Sequence, residues 1–353
     1  MRLRIVKIVS AVIAFALVFL GLQRLLEPKY ATQSLEGNLI REYYSSAMAH
    51  DVVFLGDCEV YANFSPITLW EEFGITSFIR GGAQQLIWHS YYLMQDTLRY
   101  ETPRVVVFNV LAMQYGEPQA EAYNRLNLDG MRNSPSKFRA IAASRTDDED
   151  WLSYVFPLFR YKERWRELSE DDFRYFFRNP RVSINGFMVR SDIMPVDFLP
   201  DPLRRADYSF GDKAWDYLER MVSLAKANDI ELVLVKAPAL YPHWYDEWDA
   251  QIAAYAEEHG LLYVNLLEHT DEIGLDFSTD TFNAGLHLNV FGAEKTARFF
   301  GDIITGRVDL PDRRNEPETV ATWNELSELY QSTIARQQKE IEENGKIQSL
   351  LVS

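Results

Sequence analysis

Asp51-Val52-Val53-Phe54-Leu55-Gly56-Asp57-Cys58-Glu59-Val60-Tyr61 decides how the rest of the chain is read. An apolar run of strand length meets a glycine, then the chain's only cysteine, then a polar stretch leading to Ser65-Pro66. A strand that ends in a small-residue turn and feeds a helix is how an α/β fold brings a nucleophile to the rim of its sheet. A single cysteine is also a common inert core residue, so Cys58 alone carries no function.

Downstream, Ser65 reads as an N-cap with Pro66 in the first helical position, and the helix stops at Gly74. A strand follows over 75–79, and Gly81-Gly82-Ala83 turns the chain into an amphipathic helix carrying Leu86, Ile87, Tyr91, Tyr92 and Leu98. Val105-Val106-Val107-Phe108 is apolar throughout, as in a strand buried on both faces, and Asn109 closes it. From about Gln114 to Asp207 the βα rhythm is lost in a stretch rich in aromatics and arginines, which predicts an inserted, mostly helical cap over the site. The rhythm resumes with a helix over 213–228, a strand over 231–236, a helix through Trp244 and Trp248 to His259, and a strand over 261–265. Five strands alternating with helices predict an α/β domain, a five-stranded parallel sheet flanked by helices, with ligands at the carboxyl ends of the strands.

The net charge of −16 excludes nucleic acid as a partner, because phosphate binding needs clustered cations. One cysteine forms no internal disulfide. Arg2, Arg4 and Lys7 precede an uncharged run from Ile8 to Leu22, and residues 5–26 reach the roughly 20 residues that a bilayer core requires. Positive charge at the start puts residues 1–4 in the cytoplasm and the remainder outside. No small-x-small cleavage pattern follows the run, so an uncleaved signal anchor is expected rather than a removed signal peptide. Residues 27–50 read as a polar helical stalk lifting the domain, 51–310, off the membrane. Residues 311–353 read as a polar linker and a charged helix that packs along one edge or pairs with another chain.

The loop from Leu266 to Leu288 is long for a compact domain and carries Asn283 and His287. Cys58 after strand one, Gly82 after strand two, Asn109 after strand three and His287 after strand five would converge on one edge of the sheet. Gly56-Asp57-Cys58, Gly81-Gly82 and the segment from His287-Leu288-Asn289 to Gly292-Ala293-Glu294-Lys295 resemble the blocks of the SGNH (GDSL-type) hydrolase superfamily, over Asp51 to about Thr305. The likeness is nearest to membrane-anchored groups acting on envelope polymers, such as the DltD- and AlgJ/AlgX-like proteins. It implies a flavodoxin-like three-layer sandwich, and it departs from the family in two places: cysteine replaces the nucleophilic serine, and Asn283 stands near the position of the orienting aspartate.

On that resemblance Cys58 is the nucleophile, His287 the general base and Asn283 its orienting residue, the logic of Cys-His-Asn sites on other folds. The N–H of Cys58, that of Gly82 and the Asn109 amide would hold the oxyanion. Asp280 or Asp276 is an alternative acid, and Lys236 and Trp244-Tyr245 are expected near the mouth. The remaining histidines show no metal-ligand spacing, so neither metal nor cofactor is expected. The implied activity is that of an extracytoplasmic esterase or O-acyltransferase on a cell-envelope polysaccharide or teichoic-acid-type polymer, through an acyl-Cys58 intermediate and with a membrane-bound acyl-donor protein as a partner. The competing expectation is a catalytically inactive envelope-binding or scaffold protein on the same fold.

Overall fold

The computed structural model describes residues 2–29, 35–46 and 48–352. Five strands, β1 (Val52–Gly56), β2 (Ser77–Gly81), β3 (Val105–Asn109), β4 (Glu231–Lys236) and β5 (Leu262–Asn265), form one parallel sheet in the order β2-β1-β3-β4-β5. That order is the flavodoxin-like one, whose switch point lies between β1 and β3, the strands that end beside Cys58.

The period of two along each strand sorts the core into two layers. Val52, Phe54, Val105, Val107, Val233 and Val235 face one side, where they meet α3 (Pro66–Phe73), α7 (Val290–Arg307) and α8 (Pro317–Asn344). Val53, Leu55, Val106, Phe108, Leu232 and Leu234 face the other, against α4 (Ile87–Thr97), α5 (Asp212–Ala227) and α6 (Asp246–His259). Both faces are covered, which is why the strands read as continuous apolar runs.

The local signals act as expected at α3. Ser65 accepts the Thr68 N–H, Pro66 opens the helix, and Gly74 closes it at φ 68°. α8 packs more closely than its sparse apolar positions imply, because Trp323 stacks on Trp70 with ring centroids 5.3 Å apart, and Tyr330, Ile334 and Gln337 are also buried.

Among the described residues of 27–50 the expected stalk helix does not form. Positions 30–34 and 47 lie outside the described residues, but a short helix, Leu39–Glu42, buries Leu39 and Ile40 completely, and Tyr43 packs edge-on against Phe78 of β2. Three large apolar groups on one turn gain more from the domain core than from exposure.

The insert is helical only in its first two-thirds, at Glu121–Leu128, Pro135–Ser144, Trp151–Val155, Leu158–Tyr161 and Glu170–Arg174. From 175 to 211 no helix occurs, and residues 183–187 cover the edge of the sheet: the Ile79 N–H donates to Asn185 O, and Asn185 Nδ2 donates to Ser77 O. An open β2 edge would otherwise expose pairing groups to other chains. The first helix, α1 (Arg2–Leu26), is long and apolar enough to cross a membrane, with a mean hydropathy of 2.6 and its apolar window unburied.

Candidate active site

β1 delivers Cys58 through a close approach at Gly56, where a Cβ would lie 2.8 Å from the Asn109 Cβ and 3.0 Å from Val60. Asp57 then caps the short helix α2 (Cys58–Asn63) by accepting the Glu59 N–H, leaving Cys58 half-buried in the first helical position. Register places Gly56 opposite Gly81 and Leu55 opposite Phe108, so Cys58, Gly82 and Asn109 share the carboxyl edge. α2 also fixes the His287 loop: the Leu288 N–H donates to Asn63 Oδ1 at 2.9 Å, and the His287 ring stacks between Tyr61 and Phe282, with centroids 6.3 and 5.6 Å away.

Of the three expected oxyanion donors, Gly82 and Asn109 have no hydrogen to spare. The Gly82 N–H donates to Gly56 O at 3.3 Å, continuing the sheet. Asn109 Nδ2 donates to Asp57 Oδ1 (3.1 Å) and Glu59 Oε2 (2.9 Å), while its Oδ1 accepts the Ala237 N–H. Two carboxylates enter the core with α2, and the strand-end amide is used to satisfy them. Lys236 serves the same end. It is fully buried rather than at the mouth, and its Nζ reaches both Glu59 oxygens at 3.0 Å. Trp244 is core as well, stacked on Phe210.

The expected Cys58 N–H does favour the thiolate, joined by that of Gln84, a residue the sequence did not single out. The N–H of Gln84 acts on the thiol in the same direction as that of Cys58, toward the thiolate and against the effect of burial. Gln84 takes a left-handed conformation, φ 48°, and across the site Ala284 does the same at φ 56°. For residues with a Cβ that strain costs about 1–3 kcal/mol each, and such strain concentrates at functional sites. Tyr115 stands close by: burial, then the negative charges of Asp57 and Cys58, push its phenol up to about 12.

The thiol is nevertheless protonated at rest. Burial first, and then the neighbouring Asp57 and Glu59 carboxylates, hold Cys58 well above the ordinary thiol range. Burial also raises Asp57, and raises Glu59 to about 7 against the opposing pull of Lys236.

His287 is held neutral too, with its pKa lowered to about 4 by burial and then by Arg190. Asn283 sets its tautomer. The His287 backbone N–H can only donate, so the side-chain atom facing it at 2.7 Å is the Asn283 oxygen. That leaves Asn283 Nδ2 to donate to His287 Nδ1 at 2.5 Å, and the ring hydrogen sits on Nε2. A base for Cys58 needs the reverse arrangement, and among the described residues no hydrogen bond joins Sγ to the ring. Asp280 does not act as orienting acid: it is buried, accepts the Asp276 N–H and pairs with Lys295 at 2.7 Å. Asp276 instead caps Ser278.

Among the described residues no group of three or more His, Cys, Asp or Glu could hold a metal. A cavity of about 840 Å³ lies elsewhere, between Asn38, Arg41, Arg178 and Trp323.

No protein-family model matches the chain, and no curated protein matches it. Two solved structures from Bacteroides are similar. A "putative acylhydrolase" from Bacteroides fragilis is 14% identical with a TM-score of 0.37, over 75% of this chain and 94% of that one. A GDSL-like lipase from Bacteroides thetaiotaomicron is also 14% identical with a TM-score of 0.37, over 77% of this chain and all of the other. At these values the likeness carries no argument about activity.

Proposed function

We propose that the protein is a membrane-anchored, extracytoplasmic esterase or O-acyltransferase of SGNH type that works through an acyl-Cys58 intermediate on an envelope polymer. The observation that carries this reading is the placement of Cys58 at the carboxyl edge of the sheet, in the first helical position of α2, with the His287 loop tied to the same helix through Asn63. The N–H groups of Cys58 and Gln84, which favour the thiolate, would serve the carbonyl oxygen of an acylated sulfur, as an oxyanion hole requires.

In the reaction the Sγ proton passes to His287 Nε2 as sulfur attacks the acyl carbon. The bond to the leaving oxygen breaks, and that oxygen takes the proton back from the imidazolium. Water or a glycan hydroxyl then attacks the thioester, releasing the acid or the new ester and restoring the thiol. The step needs the ring hydrogen on Nδ1, so the resting site is switched off and Asn283 is the residue that must let go.

One observation favours the second reading, a non-catalytic binding protein on this fold: the Asn283 contact that keeps Nε2 protonated. Release of p-nitrophenol from p-nitrophenyl acetate by the full chain, compared with Cys58→Ala and His287→Ala, separates the two. Turnover lost in both variants supports the enzyme. Turnover equal in all three chains leaves the binding protein.

A further inference from the structure

Phe156, Phe159, Trp165, Phe173 and Phe177 lie in the segment packed on the last turns of α1 and are all exposed, from 38% at Phe156 to 96% at Phe177. Monomers seldom gather so many large apolar groups at one surface without a use.

The segment that carries them is built onto α1. Arg24 donates to Tyr175 O and Phe176 O, both at 2.6 Å, and to Asn179 Oδ1 at 2.8 Å. Arg164 caps the helix end by donating to Leu26 O at 2.8 Å. Lower on the helix, Phe156 meets Phe19 edge-on, with centroids 5.9 Å apart. At about 1.5 Å of rise per residue, Phe19 lies roughly 5 Å inside the end of the uncharged run at Leu22. Any bilayer that receives that run therefore also meets Phe156.

The charges around the patch suit the boundary of a bilayer. Arg166 lies over the Trp165 ring at 4.9 Å, and Arg178 follows Phe177 in the chain. Among the described residues Lys162, Arg166 and Arg178 make no ion pair, and neither do Glu163, Glu167 and Glu170, whereas Arg160 and Arg164 are matched by Glu121 and Asp172. Aromatic bodies with exposed charged groups, arginine and lysine among them, are what an interfacial belt contains.

We propose that residues 156–178 seat the domain in the headgroup layer of the same bilayer that α1 crosses, with lipid as the occupant of the patch. This rests on reading α1 as a membrane span. The domain then rests on the membrane at a fixed height, and the Cys58 site has no tether on which to swing.

The test uses the full chain with Cys58→Ala, in vesicles of phosphatidylcholine and phosphatidylglycerol, with one nitroxide at a time on Val12→Cys, Trp165→Cys, Phe177→Cys or Tyr241→Cys. Collision rates with oxygen, which concentrates in lipid, are compared with those of a water-soluble nickel chelate. Seating predicts that 165 and 177 favour oxygen as 12 does, while the exposed 241 favours nickel. If 12 favours oxygen but 165 and 177 behave like 241, the seating is overturned and the span stands. A patch kept for a protein partner gives that same result in pure lipid. If 12 also behaves like 241, the span itself fails and the seating falls with it.

Discussion

Replacing Asn283 with aspartate should reverse the His287 tautomer. The new carboxylate keeps the bond from the His287 N–H, now 2.7 Å from Oδ1, and offers a second oxygen where Nδ2 stood, 2.5 Å from Nδ1. An oxygen there can only accept, so the ring hydrogen moves to Nδ1 and Nε2 is freed. A carboxylate at such range raises a histidine pKa by about 1–3 units. Against the present value of about 4, His287 would then titrate at roughly 5–7. At pH 6 the imidazolium population rises from about one in a hundred to between a tenth and nine-tenths. A cation of that kind near Sγ lowers the thiol pKa, and because the chain has a single cysteine, iodoacetamide reports on Cys58 alone. Nitrogen NMR of histidine-labelled protein reads the tautomer, and alkylation rate against pH reads the thiol. A variant whose ring stays protonated on Nε2 and titrates below pH 5 would refute the argument.

Other perturbations follow from the same geometry. Glu59→Gln removes a carboxylate next to Cys58 and leaves Lys236 positive, so alkylation at pH 8 should quicken; the unpaired buried lysine should cost about 3–5 kcal/mol in urea unfolding, and Lys236→Met in the same chain should recover most of it. Because the folded pKa of His287 is depressed from 6.5 to about 4, its contribution is complete above pH 6.5 and is lost as pH falls toward 4; His287→Gln should abolish about 2 kcal/mol of the stability lost between pH 7 and 4.5. Gly82→Ala drives a methyl onto Asn127 Oδ1 and should lower stability by about 1–3 kcal/mol, with Asn127→Ala restoring it. Arg80→Met breaks a fully buried pair with Asp96 and should cost about 3–5 kcal/mol by thermal or urea unfolding, against at most about 1 kcal/mol for Arg99→Ala on the exposed side of the same aspartate.

Strand content was legible because it depends on short range: Val52 to Leu55 and Glu231 to Lys236 each announce a strand, Val105 to Phe108 one buried on both faces, and Ser65-Pro66 with Gly74 brackets a helix. The roles at the site were less legible because they depend on who satisfies whom. Asn109 looks like a free amide in sequence, but it serves Asp57 and Glu59, and Glu59 is met by Lys236 from a strand some 180 residues away. A charge directly after Cys58 and a lysine ending an apolar strand were the available signals for that pair. Gln84 and Tyr115 gave none, since their place depends on a left-handed turn and on the path of the insert. The stalk expectation weighed the polarity of residues 27–50 and overlooked that Leu39, Ile40 and Tyr43 fall on one turn.

The most direct test of the acyl-Cys58 reading is to mix the full chain with an acetyl thioester of N-acetylcysteamine, quench in acid and weigh the intact protein. The account predicts one acetyl group on Cys58, removable by hydroxylamine, forming slowly at pH 7, faster as the thiol ionises and more slowly in His287→Gln. No acetylation at saturating donor across pH 7–10, or acetylation indifferent to His287, would contradict it.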